Sequence, residues 1–206
     1  HGLKQLHVAE TEKYAHITYF LNDGRESPFP GEDRIMIPSP HVESYAQKPE
    51  MGALEITDAV LGAIQKDLYD VIAINYANAD MVAHTGDMKA TMLAVEILDR
   101  CLKRLVDAVL MKNGCVLITA DHGNAEGLVD LHTGLIDKEH SNNPVPCILI
   151  ARELEGRMLD ERDISSKDLS SVEPQGMLSD VAPTLLAFLG IEQPPAMTGK
   201  NLLLLS

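Results

Sequence analysis

The stretch Tyr69-Asp-Val-Ile-Ala-Ile-Asn75-Tyr-Ala-Asn-Ala-Asp80-Met-Val-Ala-His84 sets a short β-branched run directly before a polar segment with a carboxylate and an imidazole. Near-continuous hydrophobicity over strand length indicates a strand covered on both faces, the habit of parallel sheets. Ile35-Met-Ile-Pro38, Cys115-Val-Leu-Ile-Thr-Ala120 and Pro146-Cys-Ile-Leu-Ile-Ala151 read the same way. Helical patterns separate these runs. Residues 12–21 put Tyr14, Ile17, Thr18 and Leu21 on one face; 51–66 do so with Ala53, Ile56, Val60, Ala63 and Ile64. Residues 88–112 carry a stripe of Met92, Val95, Leu98, Leu102, Leu105 and Val109, with Asp87 as N-cap and Gly114 in the place of a left-handed cap. A last helix over 179–189 stops at Gly190. Strands alternating with helices predict an α/β sandwich with a mainly parallel central sheet flanked by helices.

The 206 residues, 45% apolar and 23% charged, suffice for one domain with its own core. Seventeen basic against thirty-one acidic residues leave a net charge of −14, which repels phosphate backbones and excludes general nucleic-acid binding. Small phosphorylated substrates are repelled as well, so a site for them needs its own cations, which points to metal. Cys101, Cys115 and Cys147 are widely spaced in apolar runs and read as buried thiols of a reducing compartment. No apolar run reaches membrane-spanning length and no leader pattern is present. The chain begins with His1, as a piece of a longer protein would. Residues 153–176, dense in charge, Ser and Pro, read as a solvated excursion.

In open α/β sheets ligands collect beyond the carboxyl ends of the strands. Asp80 and His84 come after one strand, Asp121-His122-Gly123-Asn124 after another, and His140 precedes the last. Asp80 and His84, four apart, would share one face of a helix and suit a divalent cation, although D-x-x-x-H alone is far more often a solvated surface pair. Asp121 and His122 close an apolar strand, where two ionisable groups either have partners or cap the next turn. His140 alone is an ordinary histidine, as are His7, His16, His41 and His132.

Five segments in this order carry a resemblance: Ala9-Glu-Thr-Glu-Lys-Tyr-Ala-His16, Asn75 to Gly86, Thr119-Ala-Asp-His-Gly-Asn-Ala-Glu126, His140-Ser-Asn-Asn-Pro-Val-Pro146, and the tail from Asp180-Val-Ala-Pro-Thr-Leu-Leu to Met197-Thr-Gly199. Together they resemble the cofactor-independent (2,3-bisphosphoglycerate-independent) phosphoglycerate mutases, within the alkaline-phosphatase superfamily, through nearly the whole chain. Ser141-Asn142 stands where the family commonly has Thr-Thr, and Ala196 where it commonly has Glu.

The resemblance implies an alkaline-phosphatase-like fold and a two-manganese phosphotransfer site. Asp80, His84 and His140 would hold one metal and Asp121 and His122 part of the second, with Lys13 on the transferring phosphoryl group. The family completes the second metal with an upstream Asp and a nucleophilic Ser from a Gly-Asn-Ser-Glu word that this sequence lacks. Asn22-Asp23-Gly24 imitates another family element but takes no metal role. Residues 1–206 would then be the C-terminal part of the phosphatase domain of a cytoplasmic, monomeric enzyme of glycolysis and gluconeogenesis. Its substrates would be 2- and 3-phosphoglycerate, its partner the rest of the same polypeptide, with no nucleic acid or membrane involved. Two rivals stay open: an alkaline-phosphatase-like hydrolase or phosphopentomutase, against which the Ala-Glu-Thr-Glu-Lys word argues, and a subunit that only binds metal or a complementary N-terminal partner.

Overall fold

A computed structural model describes residues 1–128, 136, 139–157 and 169–204. His132 lies outside them, as do parts of the 153–176 excursion. The chain divides into two units, 1–111 with 124–139, and 112–123 with 140–206.

In the first unit β1 (Gln5–Glu10) is the middle strand of a parallel sheet in the order β2-β1-β3, with β2 spanning Glu32–Ile37 and β3 Val71–Asn75. Ala9 pairs with Asn75, so β1 and β3 end side by side and the segments leaving them share one edge. Its described residues also form the α-helices α1 (Ala53–Lys66), α2 (Asn78–Ala83) and α3 (Met88–Met111). Leu6 and Val8 of β1 pack with Ile56, Val60 and Ala63 of α1 and Leu105 of α3 in one buried cluster.

Three expectations change here. Residues 12–21 form a 3-10 turn, Thr11–Lys13, and a wide π-type turn, His16–Phe20, in place of a regular helix. The Thr18 hydroxyl donates to the Tyr14 carbonyl at 2.7 Å, and Phe20 and Leu21 stay exposed. The buried face of α3 is Ala90, Thr91, Ala94, Ile97, Cys101 and Leu105, while Met92 and Val95 point to solvent, because small side chains permit the closer approach to the core. At the end of α3 the left-handed residue is Asn113 (φ 56°) and not Gly114. Asp87 does cap α3, accepting from the Ala90 N–H at 3.0 Å.

In the second unit β4 (Val116–Thr119) and β5 (Cys147–Ile150) pair antiparallel, where strands of the parallel type were expected. Cys101 is buried as expected, Cys115 is half-buried, and Cys147 is exposed. The helix α4 (Val181–Phe188) follows a 3-10 turn, Leu178–Asp180, and ends before Gly190, which takes φ 64°.

Asp180 ties the tail to α4. Its buried carboxylate accepts from the Met177 and Lys200 N–H groups at 2.8 and 2.7 Å, and Thr184 accepts from the Leu202 N–H at 2.9 Å. Gly199 passes so close that a Cβ would lie 2.0 Å from the Ser179 carbonyl oxygen. The two backbone N–H bonds hold the Asp180 carboxyl below its usual range against the opposing effect of burial. A depressed native pKa adds stability that is present above the unfolded value of about 4 and is lost as pH falls through the native one. Acid titration of unfolding free energy is expected to show this loss below about pH 4, and Asp180→Asn is expected to shrink it; an unchanged acid limb in Asp180→Asn would contradict it.

Candidate functional site

The site in the first unit is built on the segments that leave the carboxyl ends of β1 and β3. The turn after β1 delivers Lys13, and α2 after β3 delivers Asp80 and His84. Buried Asn78 fixes the start of α2 by donating to the Pro49 and Ala94 carbonyls at 3.2 and 3.1 Å. Val82 packs with Met51, Ala77, Ala90 and Ala94. This leaves Asp80 and His84 on one face, as the four-residue spacing predicts.

The Lys13 ammonium lies 2.6 Å from Asp80 Oδ2, with both side chains largely buried. His84 Nε2 is 3.2 Å from Asp80 Oδ1. Asn124 Nδ2 donates to the same Oδ1 at 2.7 Å and lies 3.4 Å from His84 Nε2. Burial alone pushes the Asp80 carboxyl up, but the bonds from Lys13 and Asn124 and the charges of Lys13 and His84 outweigh it and keep it below the usual range. Asp80 is therefore a carboxylate at neutral pH. A carboxylate and an imidazole this close are an oxygen and nitrogen donor pair of the kind that manganese, zinc or cobalt accepts, so these residues fit a divalent metal.

Behind Lys13, the Glu10 carboxylate is fully buried, takes the Ser39 hydroxyl at 2.9 Å and the Gly52 N–H at 3.3 Å, and is pushed up by burial. The Glu12 carboxylate accepts from the Tyr45 hydroxyl at 2.7 Å; burial and this carboxylate push the phenol up to about 12.

In the second unit the rings of His122 and His140 stack with centroids 3.6 Å apart, and the Asp121 carboxylate is 3.6 Å from His122 Nε2. The Ser141 N–H donates to the Gly123 carbonyl at 2.8 Å, which joins the two segments that carry these residues. Lys13, Asp80 and His84 thus meet in one unit, and Asp121, His122 and His140 meet in the other. Of the histidines given no role, His7 is buried and His16 and His41 are exposed. Asn22 is spent on structure, donating to buried Glu32 at 2.8 Å. Asn124 has no role in the reading of the sequence, where only its place in the Asp121-His122-Gly123-Asn124 word pointed to it.

The Metalloenzyme superfamily model matches residues 1–193. The chain belongs to the metalloenzyme superfamily. The 2,3-bisphosphoglycerate-independent phosphoglycerate mutase of Synechococcus sp. (strain JA-3-3Ab) is 54% identical over 202 residues, covering 98% of this chain and 37% of the relative. The enzyme of that name from Clostridium beijerinckii is 47% identical over 202 residues, with the same two coverages. A solved structure of Leishmania mexicana phosphoglycerate mutase at low cobalt concentration matches with a TM-score of 0.80 and 32% identity over 97% of this chain and 37% of that one. The resemblance read from the five segments is borne out, as is the α/β class with a parallel sheet flanked by helices. This metalloenzyme chain spans a little over a third of the length of the relatives it matches. Among the described residues no helix is long and apolar enough to cross a membrane.

Proposed function

We propose that residues 1–206 are the C-terminal, metal-binding portion of the phosphatase domain of a cofactor-independent phosphoglycerate mutase. The enzyme interconverts 2- and 3-phosphoglycerate in the cytoplasm, as a monomer, in glycolysis and gluconeogenesis. The contact of Lys13, Asp80 and His84 beyond the adjacent ends of β1 and β3 carries this reading. As the resemblance implies, Asp80, His84 and His140 would hold one Mn2+, and Asp121 and His122 would supply part of the second site. A divalent cation held there would supply charge stabilisation to the transferring phosphoryl group. Lys13 supplies a local positive charge to that group on an otherwise acidic protein, and its ion pair with Asp80 keeps the ammonium in place. The rest of the polypeptide contributes the serine that takes the phosphoryl group from one glycerate hydroxyl and returns it to the neighbouring one.

Metal binding is expected to show directly as stability. At a hundredfold excess over Kd, a ligand that binds only the native state adds about 2.7 kcal/mol. For a chain of this length that is a Tm increase of roughly 5–10 °C. Mn2+ should raise the Tm accordingly at neutral pH and EDTA should reverse it. The increment should fade as pH drops through the histidine range, since imidazole ligands bind metal only when neutral. A Tm indifferent to Mn2+ and EDTA would overturn the assignment.

A further inference from the structure

Asp80 is held at both oxygens by partners of different charge. Oδ2 faces the Lys13 ammonium at 2.6 Å, and Oδ1 receives the Asn124 amide at 2.7 Å. A divalent cation arriving at Asp80 is repelled by the ammonium, whereas a neutral amide donor fixes the carboxylate without opposing the ion. Of these two partners, Asn124 is the one that orients the carboxylate without opposing the metal.

The surroundings of Asn124 fit that task better than a purely structural one. Its residue is 5% exposed, and its Oδ1 is a buried acceptor with no hydrogen-bond partner among the described residues. A buried acceptor left unpaired costs about 1–3 kcal/mol, so an amide kept for stability alone would have both ends paired. Only the donor end is used, and it is aimed at Asp80. The backbone holds it there: the Asn124 N–H donates to Glu126 Oε2 at 2.8 Å, and the Gly127 N–H returns to the Asn124 carbonyl at 3.1 Å, closing a tight turn.

We infer that Asn124 is a positioning residue for the metal, a neutral clamp that orients the Asp80 carboxylate for coordination. This rests on the reading of Asp80 as a metal ligand. Partners that orient a ligand in this way typically account for about 10–100-fold in metal affinity.

The test is Mn2+ titration calorimetry on the 206-residue chain with Asp80→Ala, Asn124→Ala and Asn124→Ser, together with the visible Co2+ spectrum of each at saturation. Metal-free melting and circular dichroism identify which variants are folded, and Asn124→Ser, which keeps a polar group that is too short to reach Asp80, stands in if the alanine variant does not fold. The expected result is clear binding by the parent, loss of binding in Asp80→Ala, and an affinity about 10–100-fold weaker in the folded Asn124 variants. The saturated Co2+ band of those variants should also differ in intensity from the parent, since a loosely held carboxylate changes the coordination sphere; a merely structural role would leave it unchanged. Parent-like affinity and an unchanged Co2+ band in the Asn124 variants, with Asp80→Ala defective, would overturn the role of Asn124 alone. No Mn2+ binding by the parent, or full binding by Asp80→Ala, would overturn the metal reading and the inference together.

Discussion

Asp80→Ala, placed in a chain extended to the full length of its relatives, is expected to lower mutase turnover about a thousandfold or more. A bound cation contributes several kcal/mol of charge stabilisation to a phosphoryl transition state. Losing about 4 kcal/mol of it corresponds to roughly a thousandfold in rate, at 1.36 kcal/mol per factor of ten. Asp80 sits where the loss is hardest to absorb. Its carboxylate touches Lys13, His84 and Asn124, so its removal also releases the ammonium assigned to the phosphoryl group. Groups that act as one unit fail together, so His84→Ala combined with Asp80→Ala should cost little more than either change alone. Steady-state kinetics with saturating Mn2+ would check this. Turnover within tenfold of the parent in Asp80→Ala would remove Asp80 from the machinery.

The second large effect is on stability. Lys13→Met keeps the length and apolar stem of the side chain but leaves the largely buried Asp80 carboxylate without its cation. Removing one partner of a buried ion pair typically costs about 3–5 kcal/mol, because a buried charge is left uncompensated. The Asn124 hydrogen bond and the partial exposure of Asp80 place this case near the lower end, about 3 kcal/mol. Mn2+ should recover more stability in Lys13→Met than in the parent, since the bound cation replaces the missing ammonium beside the carboxylate. Urea unfolding with and without Mn2+ measures both quantities. Equal stability of the two proteins in the absence of metal would show that the pair carries no such weight.

The physics of each element decides how far the sequence reveals it. The stretch from Val71 to His84 was legible because a continuous apolar strand and a four-residue Asp/His spacing are local patterns, and β3 and α2 form where they indicate. Asp87 as a cap was legible for the same reason. The buried face of α3 was not, since periodicity locates a stripe of large apolar residues and cannot tell that Ala90, Ala94 and Cys101 are the ones allowed near the core while Met92 stays outside. The antiparallel pairing of β4 with β5 was hidden for a similar reason: both are short apolar runs, and strand direction is set by the connection and not by composition. The turns over 11–20 look helical by period, yet the chain must turn sharply there to bring Lys13 to Asp80 just after β1 ends. Asn124 stands in the strand-end word Asp121-His122-Gly123-Asn124 but gains no role from it, because a neutral amide gives no charge signal; its distance to Asp80, forty-four residues away in sequence, marks the role.

The most direct measurement is a coupled assay for 2-phosphoglycerate formed from 3-phosphoglycerate, run with Mn2+ on the purified 206-residue chain and on a chain extended to the relatives' full length. Transfer through a covalent serine needs the nucleophile, the metals and the pocket for the glycerate at once. The account predicts turnover by the longer chain, abolished by EDTA and restored by Mn2+, and none by residues 1–206 alone. Substantial turnover by the 206-residue chain would contradict it, and would mean that a hydroxyl within this sequence, such as that of Thr119 or Ser141, serves as the nucleophile.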